Sequence, residues 1–212
     1  VGASDANYDG LADETIDVLV NDDDTSEILV TPQVANPTEL DEADDTVRAL
    51  YDIVLATQPA NDVTVTFVPD AQLETDVASL TFTPANWSTA QTVEVFAHDD
   101  DIDEASPHSG QLGFAVASDD VLYAALLLPN QLIDVLDDDA AGVLVDMDPA
   151  PGPLDEAGTL PPVTYELSLE SEPTDDVVIT LAPDAQVEID VGVTELTFTP
   201  ADWDQPQSVT VT

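Results

Sequence analysis

Cysteine is absent from this chain of 212 residues, lysine is absent, and arginine occurs once, at Arg48. Without cysteine there is neither disulfide nor thiol chemistry, and the redox compartment is left open. Nucleic acids, phosphate groups and anionic membrane surfaces are held by clusters of basic side chains, and a single arginine cannot form one. Those partner classes are excluded. No apolar run reaches the length needed to span a bilayer, so membrane insertion is not expected. No signal segment opens the chain, and a secreted protein would carry its signal outside this stretch.

What is present is acid. Aspartate and glutamate number 46, the formal charge is -45, and yet 43% of the residues are hydrophobic. An apolar share of that size is too large for a disordered acidic tail and fills a folded core. The acidity itself has two compatible readings: the carboxylate-rich surface of a protein from a salty habitat, or a polyanion loaded with calcium. In either case charge repulsion should weaken the fold at low ionic strength.

The chain also repeats itself. "LTFTPANW" at 80–87 returns as "LTFTPADW" at 196–203. A shift of about 114 to 116 positions pairs "LDEA" at 40–43 with 154–157, Tyr51 with Tyr165, "PDAQ" at 69–72 with 183–186, and Gln91 with Gln207. It also pairs Asp22, Asp23 and Asp24 with Asp137, Asp138 and Asp139. Self-similarity at a fixed period marks a repeat architecture. The expected division is the C-terminal strands of a preceding, incomplete repeat at 1–24, a complete repeat at 25–139, and the N-terminal part of a third at 140–212. On this arithmetic the chain is a window from a longer multi-repeat sequence.

Within a repeat the pattern is all-β. "DVTVTF" (62–67), "QTVEVFA" (91–97), "DVVITL" (176–181) and "QSVTVT" (207–212) alternate with period two and are rich in Val and Thr, as half-buried strands are. Pro, Asn, Asp and Gly punctuate them roughly every ten residues, the spacing of a sandwich. An antiparallel sandwich of seven or eight strands is expected. "VLYAALLL" (121–128) reads as a loop covering the core edge, with a helical turn as the alternative.

The order of an early "LDEA" turn, "LTFTP", "QTVEVFAHDDDIDE" and a closing "DVLDDD" resembles the Calx-beta-like repeats of large bacterial surface proteins. The resemblance covers the complete repeat and what is present of the third. It implies tandem immunoglobulin-like β-sandwiches that bind calcium in the loops at one end. That family usually has glycine after the early glutamate, whereas Glu42 is followed by Ala43 and Asp44.

Coordination chemistry points to the same pole. Ca²⁺ takes six to eight oxygens from carboxylates and carbonyls. In an immunoglobulin-like strand order one pole receives Glu42, Asp70, the loop of Asp99, Asp100, Asp101, Asp103 and Glu104, and the triplet Asp137, Asp138 and Asp139. Two carboxylates 4 Å apart repel by about 1 kcal/mol in water and about 4 kcal/mol at the effective dielectric of a partly buried surface. Several such pairs would fray the pole unless a cation sat among them. Any one of these acids alone reads as a solvated loop charge; the convergence of segments carries the metal reading.

Other residues carry less. His98 and His108 flank the acidic loop and recur in neither partial repeat, so both read as surface or loop-packing side chains rather than zinc ligands or bases. With so many acids, close carboxylate pairs say nothing about glycosidase chemistry. Ser88, Ser106 and Ser109 lack a nucleophile-elbow context. Trp87 and Trp203 close the repeated phrase and read as core or edge packing residues rather than sugar platforms. Asn86-Trp87-Ser88 spells a glycosylation sequon, but its counterpart is Asp202, which makes the match accidental.

No enzyme is expected. The function read from these features is a structural or adhesive segment of a secreted or cell-surface protein, a fibre, surface layer or stalk, with neighbouring repeats as its partners. The alternative is a spacer or carbohydrate-binding module attached to an extracellular enzyme.

Overall fold

The computed structural model describes residues 15–21, 23–34, 36–147, 152–154, 159–189 and 192–212. Asp155, Glu156 and Ala157 of the second "LDEA", and Asp22, lie outside them. In chain order the strands are β1 (Ile28–Pro32), β2 (Glu39–Asp41), β3 (Ala49–Leu55), β4 (Val63–Pro69), β5 (Leu73–Thr75), β6 (Ser79–Phe82), β7 (Gln91–Ala97), β8 (His108–Ser118) and β9 (Gln131–Leu136). They continue as β10 (Val143–Asp146), β11 (Val163–Leu169), β12 (Val177–Thr180), β13 (Glu195–Phe198) and β14 (Gln207–Val211). Among the described residues the single helical element is one turn, α1 (Val121–Ala124).

Strands β1 to β9 make two sheets, ordered β1-β3-β7-β5 and β2-β9-β8-β4-β6. Alternation decides which side chains meet between them. β3 buries Ala49, Tyr51, Ile53 and Leu55, β4 buries Val63, Val65 and Phe67, and β7 buries Val93, Val95 and Ala97. Side chains from both sheets form one hydrophobic cluster, the arrangement of a sandwich. Full burial of each Val, Leu or Ile is worth about 1.5–3 kcal/mol. A second cluster, around Leu167, Leu169, Leu196, Phe198, Val209 and Val211, joins the sheets β10-β11-β14 and β12-β13.

The repeated phrase has a local structural reason. Thr83 N–H donates to Asn86 Oδ1 at 2.5 Å, and Thr199 N–H donates to Asp202 Oδ1 at 2.7 Å. Gln91 Nε2 donates to Thr81 O at 3.0 Å and Gln207 Nε2 to Thr197 O at 2.7 Å. Trp87 O and Trp203 O accept from the N–H groups of Leu55 and Leu169, at 3.2 and 2.9 Å. The eight residues thus end a strand, cap a turn with an Asn or Asp oxygen, and fasten the turn to the opposite sheet.

Several expectations change. There are nine strands, not seven or eight, between Ile28 and Leu136, because the three-residue β2 and β5 are too short to leave an alternating pattern. The pairing is not wholly antiparallel: β2 runs parallel to β9, with Leu40 opposite Val135 and Asp41 opposite Leu136. Residues 15–20, expected to be a final strand, form none, and Ile16, Val18, Leu19 and Val20 are exposed. A strand there needs neighbours such as β2 and β8 give β9, and no described segment supplies them. Trp87 and Trp203, partly exposed, do pack against their clusters, as core or edge packing residues would.

The run at 121–128 divides. Its first half is the helical turn, capped by Asp120, whose carboxylate accepts from Leu122 N–H at 3.0 Å and Ala60 N–H at 2.8 Å. Tyr123 is buried beneath it and donates its hydroxyl to Thr57 O at 2.6 Å. The second half is loop, with Leu126 and Leu128 packed on the core.

Candidate metal centre

The parallel pair β2–β9 builds the pole. Glu42 N–H continues the ladder by donating to Leu136 O at 3.1 Å, which seats Glu42 beside the start of the Asp137–Asp139 triplet. The acidic loop leaves β7 at Ala97 and re-enters the other sheet at His108, the first residue of β8, which stands opposite Val135 of β9. Within the loop Ile102 N–H donates to Asp100 Oδ1 at 2.8 Å. Glu104 N–H donates to Asp137 Oδ2 at 3.3 Å, and Asp137 N–H to Ser106 Oγ at 3.2 Å. Loop and triplet are therefore stitched together through backbone donors, with carboxylate oxygens left over.

Those remaining oxygens define the centre. Both oxygens of Glu42, Oε2 of Glu104, Oδ1 of Asp137 and Oδ2 of Asp139 are buried without a hydrogen-bond partner. An ionised carboxylate in that condition is costly unless a cation or proton meets it. Burial pushes the Glu42 carboxyl up to about 7, and the charges of Asp100, Asp137, Glu104 and Asp138 add to the effect. Asp139 is raised for the same reasons, by burial first and then by Asp138, Asp101, Asp137 and Asp100. There are two foci, one at Glu42 and one at Asp139, sharing Asp100, Asp137 and Asp138.

Of the residues expected at the pole, Glu42, Asp100, Asp101, Glu104, Asp137, Asp138 and Asp139 are thus brought together. Asp99 is exposed and lines a shallow depression beside Glu42 with Ala43, Glu74 and His98. Asp70 is not a member. Its carboxylate accepts from Gln111 N–H at 2.8 Å and Gln72 N–H at 3.2 Å, so one oxygen serves its own turn and the other fastens that turn to β8.

The "PDAQ" turn reaches the pole through Gln72 instead. Gln72 Nε2 donates to Glu104 Oε1 at 3.1 Å, while Gln72 Oε1 lies 2.9 Å from His108 Nε2. His108 is the other residue that the sequence reading left out of the pole. Its Nε2 is 3.3 Å from Glu104 Oε2 and 3.7 Å from Glu42 Oε1. The available signal was its spacing of four from Glu104, at the start of a strand whose beginning the alternation did not mark. His98, expected to be a surface or loop-packing side chain, is partly exposed and pairs with Glu74 at 2.8 Å.

The donor set fits a hard divalent cation. Buried oxygens of Glu42, Glu104, Asp137 and Asp139 lack hydrogen-bond partners, and oxygens of that kind are what such a cation takes; among the described residues, the ligand atoms that all lie within 4.8 Å of one another are those of Glu42, Glu104 and His108. Arg48 is occupied elsewhere, 3.1 Å from Glu94 and 4.7 Å from the Phe96 ring centroid.

No family model matches the chain, and no curated protein matches it. Among solved structures, the YadV chaperone is similar over 87% of this chain and 84% of its own, with 8% identity and a TM-score of 0.31. A TM-score of that size carries no argument about either fold detail or function. Among the described residues no helix is long and apolar enough to cross a membrane.

Proposed function

We propose that this chain is a structural or adhesive segment of a large secreted or cell-surface protein, built from Calx-beta-like, immunoglobulin-like sandwiches in tandem and stiffened by calcium. The observation that carries the reading is the set of buried, partnerless carboxylate oxygens on Glu42, Glu104, Asp137 and Asp139. Glu42, Asp100, Glu104 and Asp137 to Asp139 would hold the ion at one end of the sandwich. Calcium there supplies positive charge that ties three loops into one unit; no substrate is transformed. Repetition of a strand-ending phrase that fastens sheet to sheet suits an element whose task is to bear load, and neighbouring repeats are its partners in a fibre or stalk. Packing of Trp87 and Trp203 against their clusters gives both rings a structural role, which disfavours the carbohydrate-binding alternative.

Thermal unfolding at fixed ionic strength tests this. Millimolar Ca²⁺ should raise the melting temperature above that in EGTA, since binding to the folded state alone adds about 2.7 kcal/mol at a hundredfold excess over Kd. Equal melting temperatures would remove the metal from the reading.

A further inference from the structure

The surroundings of His108 point beyond calcium. Its Nε2 lies 2.9 Å from Gln72 Oε1, 3.3 Å from Glu104 Oε2 and 3.7 Å from Glu42 Oε1. Ligand atoms of Glu42, Glu104 and His108 all fall within 4.8 Å of one another. Donors bound to one ion at about 2.0–2.1 Å stand roughly 3.0–3.5 Å apart along the edges of a tetrahedron or octahedron, and two of the three separations fall in or beside that interval. The Glu42 side chain is only 1% exposed, and neither of its oxygens has a hydrogen-bond partner. Glu104 Oε2 is buried as well, with no hydrogen-bond partner and with His108 Nε2 at ion-pair distance. The cluster therefore holds more than acidic surface: it sets a buried carboxylate 3.7 Å from an imidazole nitrogen.

We infer that Glu42, Glu104 and His108, with the amide oxygen of Gln72 beside them, form a site for a borderline divalent transition ion, of which Zn²⁺ is the probe of choice. Imidazole nitrogen is a preferred ligand for zinc and its neighbours, whereas calcium takes oxygen. His108 is thus the residue that separates the two ions. With Nε2 on the metal, the ring proton resides on Nδ1, which is buried without a hydrogen-bond partner. The site shares Glu42 and Glu104 with the proposed calcium pole, so the two ions compete, but it does not rest on calcium binding.

The test is zinc titration of the full chain by calorimetry, in constant millimolar Mg²⁺ to occupy the diffuse acidic surface. Wild type, His108→Gln and His98→Gln are compared, and the ¹⁵N shift of the His108 ring is followed by NMR. Wild type and H98Q should each bind one Zn²⁺ at the pole with a large shift of His108 Nε2, and excess Ca²⁺ should displace it. In H108Q zinc affinity should fall about tenfold or more, while calcium affinity changes by less than about threefold, because calcium prefers oxygen donors. Equal zinc affinity in H108Q and wild type, or zinc binding that leaves the His108 Nε2 resonance unmoved, would overturn the site. The NMR arm decides the matter in wild type even if H108Q does not fold. Zinc bound through His108 in a protein indifferent to calcium would sustain the site and sink the calcium reading alone.

Discussion

Glu42 is the residue on which the pole turns. Its carboxyl is buried, faces other acids, and is pushed up to about 7. A group whose folded pKa exceeds its ordinary value of 4.5 adds stability below the ordinary value and loses it as pH rises through the folded one. In EGTA, then, the wild-type chain should lose stability relative to Glu42→Gln as pH rises from 4.5 to about 7, and the difference should be flat above that. The check is a pair of denaturant titrations across this range; a gap that does not change with pH would mean that Glu42 is not protonated in the folded state. With Ca²⁺ the order should reverse above pH 7, because the glutamine cannot offer an anionic ligand. Much of this site was legible as residue types, since acids converging from distant segments are visible in the sequence. Asp70 and Gln72 show where legibility ended: both lie in one turn, and only the backbone geometry decides which of them bends to a main-chain N–H and which reaches the pole.

At the scale of elements, β4, β7, β12 and β14 announce themselves through the alternation of Val with polar residues, whereas β3, which buries Ala49, Tyr51, Ile53 and Leu55, did not enter the sequence reading. Strands of three residues leave no such alternation, and β2 is the one that places Glu42, so the key to the site was the least readable element of the fold. Close approach of the sheets is equally silent in a pattern of letters. Gly110 in β8 is buried, and a Cβ built there would stand 2.6 Å from Leu73 Cγ on β5. Gly110→Ala should therefore displace Leu73 and cost about 1–3 kcal/mol, read from the urea midpoint at constant m-value. A neutral effect would show that the two sheets can part without loss. Trp87, half-buried at the end of the repeated phrase, should cost about 2 kcal/mol on truncation to Ala, below the 3–5 kcal/mol of a fully enclosed ring. Asp202→Asn, which writes the first copy of the phrase into the second, should be within about 0.5 kcal/mol of neutral at pH 7. Asn86 already fills the same acceptor role.

Over the whole molecule the governing quantity is a formal charge of -45, and its effect is concentrated where the two hydrophobic clusters meet in sequence. The triplet Asp137–Asp139 follows β9 directly, and β10 begins at Val143. The acidic loop also touches the chain beyond that link: Asp101 O accepts from Glu172 N–H at 2.6 Å, and Ile102 and Asp103 line a cavity together with Gly142, Leu169 and Pro173. In a link this short, Asp139, partly buried, feels the charges of Asp138 and Asp101, and like-charge repulsion acts directly on the joint. Screening length is about 10 Å at 0.1 M salt, too long to silence acids that share a pole. A cation at the Asp139 focus would relieve the repulsion and keep the loop against the link. Small-angle scattering at fixed ionic strength should accordingly give a narrower distribution of interatomic distances in Ca²⁺ than in EGTA. Asp139→Asn should blunt that difference more than it lowers the melting temperature, since it lies in the link and outside both clusters. Identical scattering in the two conditions, in a protein whose melting temperature does respond to calcium, would mean that the ion stiffens the pole without stiffening the joint.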